Sequence, residues 1–222
     1  MVGAAPKNLE RLLTWRSIVG LALPAASSAV LQSAFRPVDQ FFVSWLGTEA
    51  QGALGATTYV TIFIFGAYLV ISGGVGPMVG RAIGEGDLER AREVVGAGLV
   101  GAAIVSVLVA IVGLLLSPAI VFCLGLTGAA ADHAVDYIWM LSVAGVALSF
   151  GPVIDASFAA KGNTVAPMVL QSFVLALNIA LTPLLLFVVG MGTEGAALAT
   201  ALAQVFGVGV GLWLLHRYMG LR

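Results

Sequence analysis

Six stretches of roughly twenty or more predominantly apolar residues, the length that crosses the hydrocarbon of a bilayer, follow one another in this chain at residues 17–42, 58–79, 94–116, 134–160, 168–189 and 196–215. Few folds are open to such a sequence, because in hydrocarbon every backbone N–H and C=O must find its partner inside the protein. A helix satisfies that demand segment by segment. The composition agrees, with 60% hydrophobic and 9% charged residues, where a water-soluble domain carries about a quarter charged. The expected fold class is therefore all-α: a polytopic membrane protein, a bundle of six transmembrane helices. With no linker, low-complexity tract or break in composition, residues 1–222 read as a single six-helix unit.

Sidedness follows from the basic residues, which collect on cytoplasmic flanks. Lys7, Arg11 and Arg16 precede the first span, Arg81, Arg90 and Arg92 lie between the second and third, Lys161 joins the fourth to the fifth, and Arg217 and Arg222 follow the sixth. The three connections on the other side carry none. Both termini are expected in the cytoplasm, in a multi-pass protein of the cell membrane. A basic start before an apolar run also fits a signal peptide, but the run is too long and has no clear small-residue cleavage site, so it is read as a true span.

Several function classes drop out. The net charge of −1 gives no basic face for a nucleic-acid partner. One cysteine, Cys123, allows neither an internal disulfide nor a thiolate metal site. His133 and His216 lie at or beyond the edges of spans, and neither a Gly-x-Ser-Gly nucleophile stretch nor a metal-ligand cluster is apparent. An enzyme is not expected, nor a cofactor.

Between the second and third spans, "RAIGEGDLERAREVV" combines a Gly-rich turn with Asp87 as a helix N-cap and an amphipathic lead-in to the next helix. "GTEAQGALGAT" at 47–57 and "GTEGAALAT" at 192–200 resemble one another. Each sets a small polar residue and a glutamate at a helix start, which suits the helix dipole; a shared capping solution and an internal repeat both account for it. The 28 glycines allow close helix approach, and Pro24, Pro37, Pro77, Pro152 and Pro183 free backbone carbonyls where spans can bend.

The polar residues inside the spans are more telling. Ser28, Gln32, Arg36 and Asp39, spaced four, four and three apart, fall on one quarter of a helix surface at about 100° per residue. Pro37 is expected within this polar stripe and leaves the Ser33 carbonyl without its helical donor. In the fifth span Gln171, Asn178 and Thr182 repeat the pattern. Counting inward from Gly47, Gly190 and Glu194 at about 1.5 Å per residue, Asp39, Asn178, Thr182 and Thr200 lie roughly 9–18 Å below the outer surface. A carboxylate, an amide and two hydroxyls then share one layer. An intramembrane carboxylate is costly and marks an ion or proton path by default, and oxygen ligands of this kind suit sodium. The bland alternative is a structural pair between Asp39 and Arg36. Asp155, six residues from Lys161 and hence about 9 Å from the inner surface, is either a residue that reaches water or a candidate inner gate.

With these residues in view, the chain resembles the multidrug and toxic compound extrusion (MATE) family of efflux transporters. The likeness lies in "LALPAASSAVLQSAFRPVDQFFVSWLGTEAQGALG", "GRAIGEGDLERAR", "AAKGNTVAPM" and "LNIALTPLLLFVVGMGTEGAALAT", in that order. The resemblance implies an antiporter driven by sodium or protons, exporting a small, cationic and amphipathic drug or metabolite. It also implies a coupling site at Asp39, Asn178, Thr182, Ala196 and Thr200, with Ser28, Gln32, Arg36 and Gln171 lining a polar cavity and Pro37 as hinge. Two residues depart from the family pattern: Thr182 stands where some members carry an aspartate, and Arg36 where a neutral polar residue is expected, its charge opposing a bound cation. Members have twelve spans in two lobes, so a second six-helix lobe is expected as partner, either another copy of the chain or a missing C-terminal half. The alternatives are a lipid-linked oligosaccharide flippase of the same superfamily and a non-transporting relic lobe.

Overall fold

The structure, a computed structural model, describes residues 15–219; Lys7, Arg11 and Arg222, three of the basic residues used to assign sidedness, lie outside them. Among the described residues the chain is almost entirely helical and has no strand. In chain order the α-helices are α1 (Trp15–Val43), α2 (Thr48–Ala56), α3 (Thr58–Gly84), α4 (Leu88–Cys123), α5 (Ala129–Leu148), α6 (Phe150–Ala160), α7 (Val165–Pro183) and α8 (Thr193–Met219). They make six units long and apolar enough to cross a membrane: Trp15–Leu46, Thr48–Gly84, Leu88–Cys123, Ala129–Ala160, Val165–Val188 and Thr193–Tyr218. Each matches one of the six apolar stretches, the fifth ending one residue earlier than expected. Large apolar side chains face outward, Phe63 at 82% exposure and Phe122 at 81%, a surface made for lipid rather than water. The chain is an integral, multi-pass membrane protein.

The helix ends follow local chemistry. Asp87 caps α4, its Oδ1 accepting from the Arg90 N–H at 2.9 Å, and Gly86, at φ 79°, supplies the left-handed residue of the turn before it. The cap makes the amphipathic lead-in and the third span one continuous helix of 36 residues. At the next helix start like it, the Gly192 N–H donates to Glu194 Oε1 at 3.1 Å. The two similar segments thus both open helices, but α2 is a helix of 9 residues and α8 one of 27.

The fourth span, expected as one helix over 134–160, is broken at Ser149. Pro152 has no N–H to offer the Leu148 carbonyl one turn earlier, and the Ser149 hydroxyl donates to Val146 O at 2.9 Å instead. A second irregularity follows Pro183, where α7 widens into a π turn over Leu184–Val188 and the Val189 N–H reaches Leu184 O at 3.0 Å.

Neighbours in space run α1, α7, α8, α5, α4, α3, with α6 packed on α3 and α2 laid against α5. The fourth span is the innermost: 56% of its most apolar window is buried, against 6% for the first. One apolar cluster, including Val43, Leu54, Tyr68, Leu141 and Leu186, fills the end of the bundle that carries Gly47 and Gly190. A second, including Val79, Val95, Val153, Phe158 and Leu215, fills the opposite end. Small residues set the spacing between these helices. At Gly98 an added Cβ would stand 2.5 Å from Val75 Cγ2 and 3.3 Å from Val153 Cγ1, so α4 touches α3 and α6 through bare backbone. At the same end Lys161 Nζ donates to Tyr218 O at 2.8 Å and lies 4.2 Å from the centre of the Tyr218 ring, fastening α6 to the end of α8.

Candidate functional site

The first helix meets two consecutive late ones, α7 and α8, around one carboxylate. Asp39, on the buried face of α1, is 3% exposed. The Thr200 hydroxyl of α8 donates to its Oδ2 at 3.2 Å, and Asn178 Nδ2 of α7 donates to the same hydroxyl at 2.9 Å. The helix pairs α1–α7 and α7–α8 make this possible, because each packs along the faces that carry these residues.

The network leaves two acceptors over. Asp39 Oδ1 and Asn178 Oδ1 are buried and receive no hydrogen bond. A carboxylate offers about four lone-pair sites, and an unmet buried acceptor costs roughly 1–3 kcal/mol, more for a charged group. An all-oxygen set with spare acceptors can take a hard monovalent cation or a proton on the carboxylate. Thr182 stands one turn beyond Asn178 on α7 and donates to the Asn178 carbonyl at 2.9 Å, so its hydroxyl proton is committed to backbone while its lone pairs are not. Ala196, fully buried, is one turn before Thr200 on α8.

Arg36 does something else. Its Nη2 approaches the carbonyls of Thr57 at 3.5 Å and Thr58 at 3.4 Å, and its guanidinium carbon lies 6.0 Å from the centre of the Tyr137 ring. These carbonyls stand at the junction of α2 and α3, and that of Thr57 also accepts from the Thr61 N–H and hydroxyl. No ion pair joins Arg36 to Asp39 in the structure, so the pairing that stood as the bland alternative does not form.

Residues 24–184 match the MatE family. The chain belongs to that family. Its curated relatives include a FAD transporter of Shewanella oneidensis, 26% identical over 211 residues that cover 92% of this chain and 47% of the relative. Another is the probable multidrug resistance protein NorM of Thermotoga maritima, 25% identical over 206 residues, 91% of this chain and 44% of the relative. Among solved structures, a MOP superfamily transporter from Pyrococcus furiosus superposes with a TM-score of 0.84 at 26% identity, covering 91% of this chain and 45% of that one. A MATE transporter in its bent conformation gives 0.85 at 25%, with 96% and 48% covered. The chain spans about half the length of the relatives it matches, in agreement with the N-terminal lobe of the fold.

Within this MatE-family chain the remaining candidates divide. Ser28 is half-buried and its hydroxyl donates to Pro24 O at 3.0 Å, while Gln32 is exposed on the surface of α1. Pro37 corrects an expectation. It was read as part of the polar face, yet two residues are about 200° apart on a helix, and Pro37 is exposed, bordering a shallow cavity with Phe41 and Ile179. Any bending there acts through the backbone and not through a side chain beside Asp39.

Gln171 does not join Asp39 either. Its Nε2 donates to Asp155 Oδ2 at 3.1 Å, linking α7 to α6 two turns away from Asn178. Tyr137, 3% exposed and facing Arg36, is a residue that sequence reasoning missed. Its signal was an aromatic hydroxyl inside an otherwise apolar span, which is common enough to pass unremarked.

Proposed function

We propose that this MatE-family chain is a six-helix lobe of a cation-coupled efflux antiporter working by alternating access, with the coupling cation, sodium or a proton, held at Asp39, Asn178 and Thr200. One observation carries the reading: a buried carboxylate tied to two other helices through Thr200, with Asp39 Oδ1 and Asn178 Oδ1 left without donors. The names of the relatives, a FAD transporter and a multidrug resistance protein, support a small-molecule cargo in place of an enzymatic substrate. For this chain a cationic amphipathic xenobiotic is the cargo we infer, with both termini in the cytoplasm.

The site's chemistry gives the coupling a direction. With a cation or proton present, the two spare acceptors share it and α1 is held against α7 and α8. Without it, the Asp39 carboxylate and the Asn178 amide oxygen are both left as buried acceptors without a donor, and separation of α1 is favoured. Pro37 removes one backbone hydrogen bond from α1, so bending concentrates there. The nearly unburied first span, and the roughly half-length match to relatives, support a second six-helix lobe as partner, from another copy or from a C-terminal half. The flippase alternative calls for a cationic cavity, and the one arginine near the site, Arg36, is engaged by carbonyls and a ring.

Efflux of a fluorescent cationic dye from pump-deficient bacterial cells tests the reading, comparing the chain with its Asp39→Asn variant at equal expression. Loss of efflux in the variant is expected. Equal efflux from both refutes the assignment of Asp39.

A further inference from the structure

The Asp39 site leaves a second carboxylate, that of half-buried Asp155, unexplained. Asp155 lies on α6, six residues from Lys161, and Gln171 lies six residues into α7. Both are thus about 9 Å from the bundle end where Lys161 holds Tyr218. The hydrogen bond from Gln171 Nε2 to Asp155 Oδ2 uses half of each group. The other halves, Asp155 Oδ1 and Gln171 Oε1, are buried and have no partner, and Gln171 is only 4% exposed. Two acceptors cannot satisfy each other. A single proton on Asp155 Oδ1 lets the carboxylic acid donate to Gln171 Oε1, closing the cyclic acid–amide pair that the existing bond already half forms.

The surroundings favour a proton over a larger ion. Where Asp155 and Gln171 face α8, beside Gln204 and Gly207, the space is only about 10 Å³, near the least that holds one water. On its other side Asp155 borders a cavity of about 240 Å³ lined by Ser28, Thr164 and Pro167 among others, a route for proton exchange with water. Among the described residues no other titratable or charged side chain lines either space. The helices packed on α6 present Val75, Gly76 and Val79 from α3, Val95 and Gly98 from α4, Leu170 and Gln171 from α7, and Gln204, Val208 and Gly211 from α8. Lys161, at the end of α6, is taken by Tyr218.

We propose that Asp155 and Gln171 form a second proton-binding station, in which Asp155 takes a proton from water in the adjoining cavity and passes its hydrogen bond to Gln171. It is separate from the Asp39 site: Gln171 and Asn178 share one face of α7, about 10 Å apart along the helix, with Phe35, Val174, Leu175 and Ala203 packed between. The proposal stands whether or not the chain transports anything, and its test does not use transport.

The test is infrared spectroscopy of the full chain reconstituted in liposomes and titrated from acid to alkaline pH, in an Asp39→Asn background that removes the other buried carboxyl. A protonated-carboxyl carbonyl band that disappears as pH rises, is absent from the additional Asp155→Asn variant, and shifts in frequency in Gln171→Leu is the expected result. A band unmoved by Gln171→Leu overturns the pairing, as does the lack of any titrating band. Should Asp155→Asn fail to fold, the Gln171→Leu shift alone decides. Loss of the band on adding sodium at constant pH shows a metal-cation site and overturns the proposal too. Failure of dye efflux leaves all these outcomes readable.

Discussion

Thr200 hands its hydroxyl proton to Asp39 across 161 residues of sequence, and the same oxygen accepts from Asn178. One hydroxyl is thus the joint between α1, α7 and α8. Thr200→Val keeps the shape and removes the joint, leaving Asp39 and the Asn178 amide without their partner. The variant should lose about 1–3 kcal/mol of stability, read by thermal unfolding in detergent, together with most coupled efflux. Thr200→Ser, which restores the hydroxyl, should recover both.

Arg36 gives a prediction of opposite sign at the same site. Replacing it with Met removes a positive charge that opposes a cation at Asp39, so binding of the coupling cation should tighten, measured by isotope binding or calorimetry on purified protein. The Arg36 contacts to the Thr57 and Thr58 carbonyls, at 3.4–3.5 Å and long for hydrogen bonds, are lost, while the Thr57 carbonyl keeps the Thr61 N–H and hydroxyl. Faster amide exchange at the junction of α2 and α3, with a stability loss of about 1 kcal/mol or less, should accompany the tighter binding.

Two glycines of α4, two residues apart, should behave oppositely. A Cβ at Gly98 meets Val75 and Val153, while one at Gly96 meets nothing within 4 Å. Gly98→Ala should cost about 1–3 kcal/mol through overpacking. Gly96→Ala should be neutral or stabilising by up to about 1 kcal/mol, because alanine gives up less conformational freedom in a helix. Unfolding midpoints of the pair decide it.

Lys161→Met keeps the aliphatic stem and deletes the contacts to the Tyr218 carbonyl and ring. The cost should be about 0.5–1 kcal/mol, typical of an exposed cation–π contact. Faster amide exchange confined to the last turn of α8 is the readout.

Much of this architecture was legible in the order of residues because the bilayer imposes it. Spans announce themselves by length, and depth along a helix is a count from its end, so Asp39, Asn178 and Thr200 could be set in one layer before any helix was packed. What failed was rotation. Depth places Pro37 beside Asp39, but two residues turn a helix by about 200°, and the proline ends on the outside. Gln171 shares the face of Asn178, yet packing on α6 gives it to Asp155. The partner of Arg36 was invisible for a different reason: backbone carbonyls at a helix junction have no side-chain signature. Ala196 entered through family resemblance alone, since a buried alanine carries no chemistry of its own to notice.

The band formed by Phe35, Val174, Leu175 and Ala203 has an electrical consequence. Moving a bare ion through such a layer carries a solvation penalty of tens of kcal/mol in the Born limit. Charge that enters at one end of the lobe therefore has no standing wire to the other. The two carboxylates, Asp39 and Asp155, are thus held apart electrically by apolar side chains.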